Sequence, residues 1–312
     1  MSAALSDDDL NAKVDGSDLD GKNVLITGGA SGIGADLAKT LAEKGAQVTI
    51  VDIQADRGRE FALQLQQQGL KVQFVVANVN SWTDQVAAFQ AAVGFSPSRR
   101  LDVVIASAGV FAEPFYLPNK PFISSLGQEP EPPGIKDYEV NTIGIHYTTR
   151  LALEYFELEP ESPAMEPKCL IMIGSMVAYT DIPMMSPYIA SKYAARGLFR
   201  SVRSIFSRKG HRVNHLAPWL TATPMTASSL KMFEECGAPI GDVSLARGAV
   251  MRLIQDSSIN GRSIVVGPRR NIDLCDDVDG QFGGPVARKY LEEELPGWDQ
   301  TEERLRKYMG FD

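Results

Sequence analysis

The stretch "NVLITGGASGIG" at residues 23–34 decides the fold of this 312-residue chain. An apolar, β-branched run leads into a turn rich in glycine, and "ADLAKTLAEKG" continues from it with the spacing of an amphipathic helix. Glycines let a backbone turn sharply and approach a pyrophosphate, whose charge is then stabilised at the positive end of the following helix. The stretch therefore predicts a strand, a phosphate-binding turn and a helix. Taken alone, it also fits a tight strand-to-helix turn that holds no ligand.

Comparable apolar runs recur along the chain at "AQVTIVD", "KVQFVVA", "LDVVIASAG", "KCLIMIGS", "HRVNHLA" and "RSIVVGP". Amphipathic helical stretches separate them, and this alternation is typical of parallel strands joined by crossover helices. The sequence therefore predicts an α/β fold, a Rossmann-type doubly wound parallel sheet of about seven strands with helices on both faces. We expect a single catalytic domain over residues 21–275.

Three segments fall outside this rhythm. Residues 1–20 are acidic and poor in apolar side chains, which predicts a flexible tail. Residues 111–134 carry six prolines and are expected to form a long surface insertion, a candidate lid. Residues 276–312 contain amphipathic patterns and are predicted to form a helical extension outside the sheet.

Composition limits the possible partners. The formal net charge of −8 argues against nucleic acid, which requires a basic face, and favours a small molecule. No apolar run is long enough for a membrane span, and three widely spaced cysteines without a CxxC favour a cytoplasmic protein. His146, His211 and His215 are not spaced as metal ligands, so we expect no metal.

The second predicted strand, "QVTIVD", ends in Asp52, about 20 residues beyond Gly32, where a carboxylate accepts hydrogen bonds from an adenosine ribose. A 2′-phosphate about 5 Å from this carboxylate would cost on the order of 3 kcal/mol at an effective dielectric constant of ~20. The sequence therefore favours NAD over NADP. Asp52 as a plain strand-end turn residue is the alternative.

Several motifs occur together in one order along the chain: "TGGASGIG" at 27–34, "ASAG" at 106–109, Asn141 in "YEVNTIG", Ser175 in "IMIGS", "YIASK" at 188–192 and "NHLAPWLTATPM" at 214–225. This combination resembles the short-chain dehydrogenase/reductase family. Within the family, the chain is most similar to NAD-dependent members related to 15-hydroxyprostaglandin dehydrogenase and to fungal secondary-metabolite dehydrogenases.

The resemblance implies four catalytic residues. Tyr188 is the acid/base, Lys192 its electrostatic partner, Ser175 the anchor of the substrate oxygen, and Asn141 part of a proton relay. Tyr188 and Lys192 are four residues apart and share one helix face, although such pairs are more often exposed amphipathic pairs. Lowering a tyrosine pKa by about three units needs roughly 4 kcal/mol, which Lys192 and a positive nicotinamide can supply.

The resemblance also implies the cofactor contacts. The substrate contacts are inferred from side chains that flank the catalytic residues in the sequence, and packing in the core is the alternative for most of them. The expected cofactor contacts are Gly28, Ser31, Gly32, Ile33, Gly34, Asp52, Ile53, Asn78, Val79, Ala106, Ser107, Gly109, Tyr188, Lys192, Pro218, Thr221 and Thr223. The expected substrate contacts are Ser175, Val177, Met185 and Trp219, the last in a substrate loop at residues 218–241. Methionines and aromatic rings suit a bulky lipophilic molecule.

The chain departs from the family pattern at three points. Ala106 and Ser107 replace two amides that support the cofactor strand. Asn78 replaces an aspartate that meets the adenine amino group, and its amide oxygen can accept the same hydrogen bond. Trp219 replaces a glycine, and it either lines the substrate pocket or fills the core.

These observations predict an NAD-dependent oxidoreductase that moves a hydride between a secondary alcohol or ketone and the nicotinamide, with Tyr188 as acid/base. The alternative keeps the nucleotide-binding fold for non-redox catalysis, such as cyclisation, or for regulatory binding. The resemblance further implies a homodimer or homotetramer.

Overall fold

The computed structural model describes residues 4–12, 19–112, 126–127, 129, 131–158, 167–180, 185–276, 293 and 304. Within this part of the chain, one eight-stranded sheet is formed by β1 Asn23–Thr27, β2 Gln47–Asp52, β3 Val72–Val76, β4 Val103–Ala106, β5 Cys169–Ile173, β6 Arg212–Pro218, β7 Ser263–Val266 and β8 Asn271–Asp273. The strand order is β3-β2-β1-β4-β5-β6-β7-β8, and only the β7–β8 pairing is antiparallel. The predicted Rossmann-type fold is confirmed.

The seven predicted strands are β1 to β7, and β8 is a further short strand at the edge of the sheet. A turn closed by a hydrogen bond from Gly267 N–H to Arg270 O, 3.0 Å long, reverses the chain between β7 and β8. β8 therefore pairs antiparallel because it follows β7 by a hairpin and not by a crossover helix.

Helices cover both faces of the sheet. In chain order they are α1 Asp7–Asn11, α2 Gly32–Glu43, α3 Ala55–Gln67, α4 Trp82–Phe95, α5 Lys136–Tyr138, a π-helical segment Glu139–Gly144, α6 Ile145–Phe156, a 3₁₀ turn Met176–Ala178, α7 Ser186–Arg208, α8 Leu230–Glu235 and α9 Val243–Gln255. Side chains alternate across each strand: Val24 and Ile26 join the core with α2 and α9, whereas Leu25 joins the core with α4, α6 and α7. Burial on both faces explains why the strands read as continuous apolar runs.

The strand order reverses between β1 and β4, which lie side by side. The crossover from β1 runs to one side of the sheet and the crossover from β4 to the other, so the loops after these strands diverge and leave a crevice. The carboxyl ends of β1 and β4 therefore mark the expected place for a ligand.

Residues 4–12 differ from the predicted flexible tail. Leu10 is buried, Leu5 N–H donates to Asp273 Oδ2 over 3.0 Å, and Asn11 exchanges two hydrogen bonds with the backbone of Asn271. Residues 4–12 therefore dock on the sheet, because the edge strand β8 offers a surface on which even a short, polar helix with one apolar side chain can pack.

The chain after β8 is tied back onto α7. Asp276 accepts hydrogen bonds from Tyr179 OH over 3.0 Å and from Arg200 Nη1 over 2.9 Å, and it also pairs with Arg196. The remainder of the predicted extension at 276–312 lies outside the described residues apart from two single positions, as does most of the insertion at 111–134. The predicted domain limits therefore stay predictions.

Candidate active site

One cleft of about 500 Å³ opens along the carboxyl ends of the strands. Its walls come from the turn after β1, the ends of β2 to β6 and the first turns of α7. The predicted site residues that line it are Gly28, Ser31, Gly32, Ile33, Gly34, Asp52, Ile53, Asn78, Val79, Ser107, Gly109, Ser175, Val177, Met185, Tyr188, Lys192, Pro218, Trp219, Thr221 and Thr223. The other two predicted residues, Ala106 and Asn141, are buried beneath its surface.

The glycine turn is shaped by positions that tolerate no side chain. Gly28 has φ of +67°, and a Cβ there would stand 2.6 Å from Ala108 Cα. A Cβ on Gly34 would stand 2.2 Å from Gly28 O. Ser31 caps α2 without a hydrogen bond from its own hydroxyl to that helix. The N-terminus of α2 is thus open toward the cleft, as pyrophosphate binding requires.

Asp52 lies at the end of β2 and is buried, with 6% of its surface exposed. Ala30 N–H donates to its Oδ2 over 3.0 Å and Gln54 N–H to its Oδ1 over 3.0 Å. The carboxylate therefore holds the glycine turn against β2 while it lines the cleft beside Ile53. An ionised carboxylate has acceptor positions left for a ribose hydroxyl.

Asn78 follows β3, and its side-chain oxygen already accepts one hydrogen bond. Its Oδ1 accepts a hydrogen bond from Asn80 N–H over 3.2 Å, so one lone pair remains for an adenine amino group. Asn80, which sequence reasoning missed, also lines the cleft, and its buried Oδ1 has no hydrogen-bond partner within the described residues. No motif marked Asn80, because its relevance depends on where the turn after β3 places its side chain.

Thr27 supports the strand at which Ala106 and Ser107 replace the amides usual in the family. Ser107 N–H and Ala108 N–H both lie within hydrogen-bonding distance of Thr27 Oγ1, at 3.2 and 3.3 Å. The hydroxyl at the end of β1 therefore holds the end of β4 in place.

Ser175, Tyr188 and Lys192 meet at the centre of the cleft. Ser175 follows β5, Tyr188 lies in the first turns of α7, and both side chains line the cleft. Lys192 Nζ donates to Ile173 O over 3.4 Å and stands 5.6 Å from the centroid of the Tyr188 ring. Phe111 packs edge-on against the same ring, with centroids 5.4 Å apart.

The pKa of Tyr188 does not shift in the direction that its role as acid/base predicts. Burial raises the pKa of Tyr188, the nearby Ser175 hydroxyl lowers it, and the charge of Asp137 raises it. The expected lowering is therefore absent from the protein alone, because loss of hydration outweighs the favourable contacts. Burial lowers the pKa of Lys192 to about 8, and Asp137 opposes this shift. Asp137 was missed by sequence reasoning.

Asn141 lies in the π-helical segment, and its side chain makes three hydrogen bonds to two residues. Its Nδ2 donates to Val110 O over 2.9 Å and to Ser191 Oγ over 3.0 Å, while its Oδ1 accepts from Val110 N–H over 2.8 Å. Ser191 Oγ donates in turn to Tyr188 O over 2.7 Å. Both N–H donors of the Asn141 side chain are therefore occupied. The relay role of Asn141 stays a prediction, and its backbone and the second lone pair of Oδ1 are the groups left for it.

Comparison with known proteins decides the family. The family described as short chain dehydrogenase matches residues 22–233. The chain belongs to the short-chain dehydrogenase family. It is 38% identical over 296 residues to 5′-hydroxyaverantin dehydrogenase of Dothistroma septosporum, covering 91% of this chain and 96% of the relative. It is also 33% identical over 262 residues to an NADP-dependent dehydrogenase of Cochliobolus lunatus, covering 80% of this chain and 89% of the relative.

A solved structure shares the fold of this short-chain dehydrogenase. The 3-ketoacyl-(acyl-carrier-protein) reductase of Brucella melitensis, whose structure is a complex with NADH, aligns with a TM-score of 0.68 at 23% identity. The alignment covers 81% of this chain and 99% of the reductase. At this identity the likeness concerns the fold alone.

The short-chain dehydrogenase differs from the family pattern most visibly at Trp219. Its backbone N–H donates to Val266 O over 2.9 Å, and its Nε1 donates to Pro239 O over 2.9 Å. The indole lines the cleft and is not packed in the core. Of the two alternatives for Trp219, lining a pocket or filling the core, the structure shows the first. Thr221 bridges to Gly241, which closes the loop that follows.

Two kinds of feature are absent from the described residues. No helix there is both long and apolar enough to cross a membrane. No set of three or more His, Cys, Asp or Glu side chains in the same residues is grouped so that it could hold a metal ion.

Proposed function

We propose that this short-chain dehydrogenase uses NAD to move a hydride between the nicotinamide and a secondary alcohol or ketone carbon on a lipophilic molecule. The observation that carries the proposal is that Ser175, Tyr188 and Lys192 line one cleft, with Lys192 Nζ 5.6 Å from the centroid of the Tyr188 ring. Two hydroxyls in one cleft suit a single substrate oxygen: one holds it and the other exchanges a proton with it.

The residues have separate tasks. A bound nicotinamide cofactor supplies or accepts the hydride. Ser175 holds the substrate oxygen, and its position is set by the hydrogen bond that Val177 N–H donates to its Oγ over 3.3 Å. Tyr188 gives the proton to a carbonyl oxygen during reduction and takes it from the hydroxyl during oxidation. Lys192, when charged, stabilises the phenolate form of Tyr188.

The cleft also fits the cofactor. The glycine turn leaves space where a Cβ at Gly28 or Gly34 would collide with backbone, and the α2 N-terminus lies beside that space. Asp52 supports NAD over NADP, because a 2′-phosphate near its carboxylate would be repelled by about 3 kcal/mol. The relative from Cochliobolus lunatus is named NADP-dependent, so both dinucleotides belong in the assay.

The substrate half of the cleft is largely apolar. Trp219, Met225, Phe233, Met185 and Val177 line it. Such a wall favours a bulky lipophilic substrate over a small polar one. The relative from Dothistroma septosporum is named 5′-hydroxyaverantin dehydrogenase, so 5′-hydroxyaverantin is the first compound to assay, in the direction of oxidation.

The test is a spectrophotometric assay of the purified protein with NAD or NADP, 5′-hydroxyaverantin and a panel of aromatic and aliphatic secondary alcohols. We expect NADH formation that Tyr188→Phe abolishes. Tyr193→Phe is the matched control, because Tyr193 lies in the same helix but is exposed. Turnover that survives Tyr188→Phe would reject the proposed mechanism. Binding of NAD without turnover of any alcohol or ketone would instead favour the non-redox or regulatory alternative.

A further inference from the structure

Asp137 is a buried carboxylate that no sequence motif marked. It lies in the single turn of α5, and only 2% of its surface is exposed. α5 packs on α7, the helix that carries Tyr188 and Lys192. Burial of an aspartate costs free energy unless its surroundings compensate, so a buried carboxylate beside an acid/base pair requires an explanation.

Its hydrogen bond lies next to the tyrosine. Ala112 N–H donates to Asp137 Oδ1 over 3.3 Å, and the preceding residue is Phe111, whose ring packs edge-on against Tyr188. Asp137 therefore fixes the backbone that carries the Phe111 ring.

The same segment runs close to the lysine. A Cβ on Gly109 would stand 3.3 Å from Asn141 Oδ1 and 3.4 Å from Lys192 Nζ. Residues 109–112 thus contact Asp137 of α5 and Asn141 of the π-helical segment, and they also contact Tyr188 and Lys192 of α7. The segment is the physical link between the carboxylate and the acid/base pair.

Asp137 is the carboxylate that shifts the pKa of both members of the pair, and it raises both. Three effects shift the pKa of Tyr188: the burial of its ring, the Ser175 hydroxyl and the Asp137 carboxylate. Burial lowers the pKa of Lys192, and the Asp137 carboxylate raises it. His215 on β6 also interacts with Lys192, but burial lowers its pKa to about 3, so it carries no charge near neutrality.

We propose that Asp137 is a positioning residue of the Tyr188–Lys192 pair: it anchors residues 109–112 beside the tyrosine and, through its negative charge, favours the form of the pair that retains its protons. This inference rests on the proposed function. A phenol that retains its proton is ready to protonate a ketone oxygen as hydride arrives at the carbon, so the site is set for reduction near neutral pH. Alcohol oxidation, which needs the phenolate, starts at higher pH.

The test is the pH dependence of kcat/KM in Asp137→Asn. The amide oxygen of asparagine can still accept the Ala112 hydrogen bond, so the segment is retained while the charge is lost. We expect the acid limb for alcohol oxidation and the alkaline limb for ketone reduction to move together to lower pH by about one unit. Asp137→Glu keeps the charge and should leave both limbs near their original pH even if kcat falls.

Asp8→Asn is the control for a general change of net charge. Asp8 is exposed on α1, which packs on β8 and α9. Asp8→Asn makes the same chemical change as Asp137→Asn, but far along the chain from Tyr188 and Lys192. We therefore expect both limbs of the pH profiles to stay in place.

A second readout needs neither cofactor nor substrate. The ultraviolet absorbance of tyrosinate is titrated in the full chain and in Tyr188→Phe, and the difference isolates the ionisation of Tyr188. Repeating the pair of titrations with Asp137→Asn should move that ionisation to lower pH.

Unchanged limbs and an unchanged Tyr188 titration in Asp137→Asn would overturn the proposal and leave Asp137 with a purely structural role. Failure of the proposed function is a different result: Tyr188→Phe would keep its turnover, while the titration of Tyr188 would still report whether Asp137 acts on it.

Discussion

Asn141 and Val110 are joined by two hydrogen bonds, one in each direction, of 2.8 and 2.9 Å. The side-chain amide pairs with the backbone of Val110 as a neighbouring strand would. This pairing holds the chain in place after the end of β4. The next residue, Phe111, packs against Tyr188. A residue predicted to relay protons is thus also the clamp that places one wall of the cleft.

Asn141→Ala should lower the free energy of unfolding by about 2 kcal/mol, because it leaves the N–H and C=O of Val110 without their partner. Thr142→Val is the matched control: Thr142 Oγ1 is buried without a hydrogen-bond partner within the described residues, so its removal should be neutral or stabilising. Chemical denaturation measures both. Equal losses in the two variants would show that the clamp contributes nothing.

Asp52→Asn should reduce the preference for NAD over NADP about a hundredfold, because it removes the charge that repels a 2′-phosphate. The affinity for NAD itself should also fall, since an amide has one acceptor oxygen for Ala30 N–H and Gln54 N–H. The ratio of the two dissociation constants, from fluorescence titration, isolates the effect of charge. Asp56→Asn, at an exposed position on α3, should leave the ratio unchanged. An unchanged ratio in Asp52→Asn would contradict this account of cofactor choice.

Gly28→Ala should prevent dinucleotide binding and destabilise the fold, since the methyl group would meet Ala108 Cα at 2.6 Å. Gly69→Ala separates this clash from backbone strain. Gly69 also has a positive φ, +79°, but nothing lies within 4 Å of its Cβ position, so it should lose only about 1 kcal/mol and bind normally. Normal dinucleotide binding by Gly28→Ala would count against the proposed pyrophosphate site.

His215→Gln should reduce the loss of stability on acidification. Burial lowers the pKa of His215 from 6.5 to about 3, so between these values the unfolded chain takes up a proton that the folded chain does not. The free energy of unfolding therefore falls with decreasing pH by about 1.4 kcal/mol per unit from this group, and the glutamine removes that contribution. Urea unfolding at several pH values measures the slope. His146→Gln, at an exposed position, is the control, and a slope in His215→Gln equal to that of the control would refute the assignment.

Much of the architecture could be predicted because its signals are local. Continuous apolar runs predicted β1 to β7, and the glycine turn after β1 predicted the helix that follows it. Parallel strands end at one edge of a sheet, so a serine after β5 and a tyrosine early in the next helix were expected to converge, and both line the same cleft. The residue types and their order thus determined the family, the sheet and the positions of the candidate chemistry.

Other features depend on pairings between distant parts of the chain. Leu5 reaches Asp273, so residues predicted to form a free tail dock on the edge strand β8. Asp137 becomes a functional candidate only because α5 packs on α7, and nothing in its neighbours along the chain distinguishes it from a surface aspartate.

The sequence by itself determined the strands, the glycine turn and the presence of Ser175, Tyr188 and Lys192, because periodicity and turn chemistry act between near neighbours in the chain. The tertiary structure decided what surrounds those groups: the carboxylate beside the pair, the clamp on Val110 and the position of the Trp219 indole at the cleft wall. Burial and charge set proton affinity, and both arise from packing between elements that the local pattern does not encode.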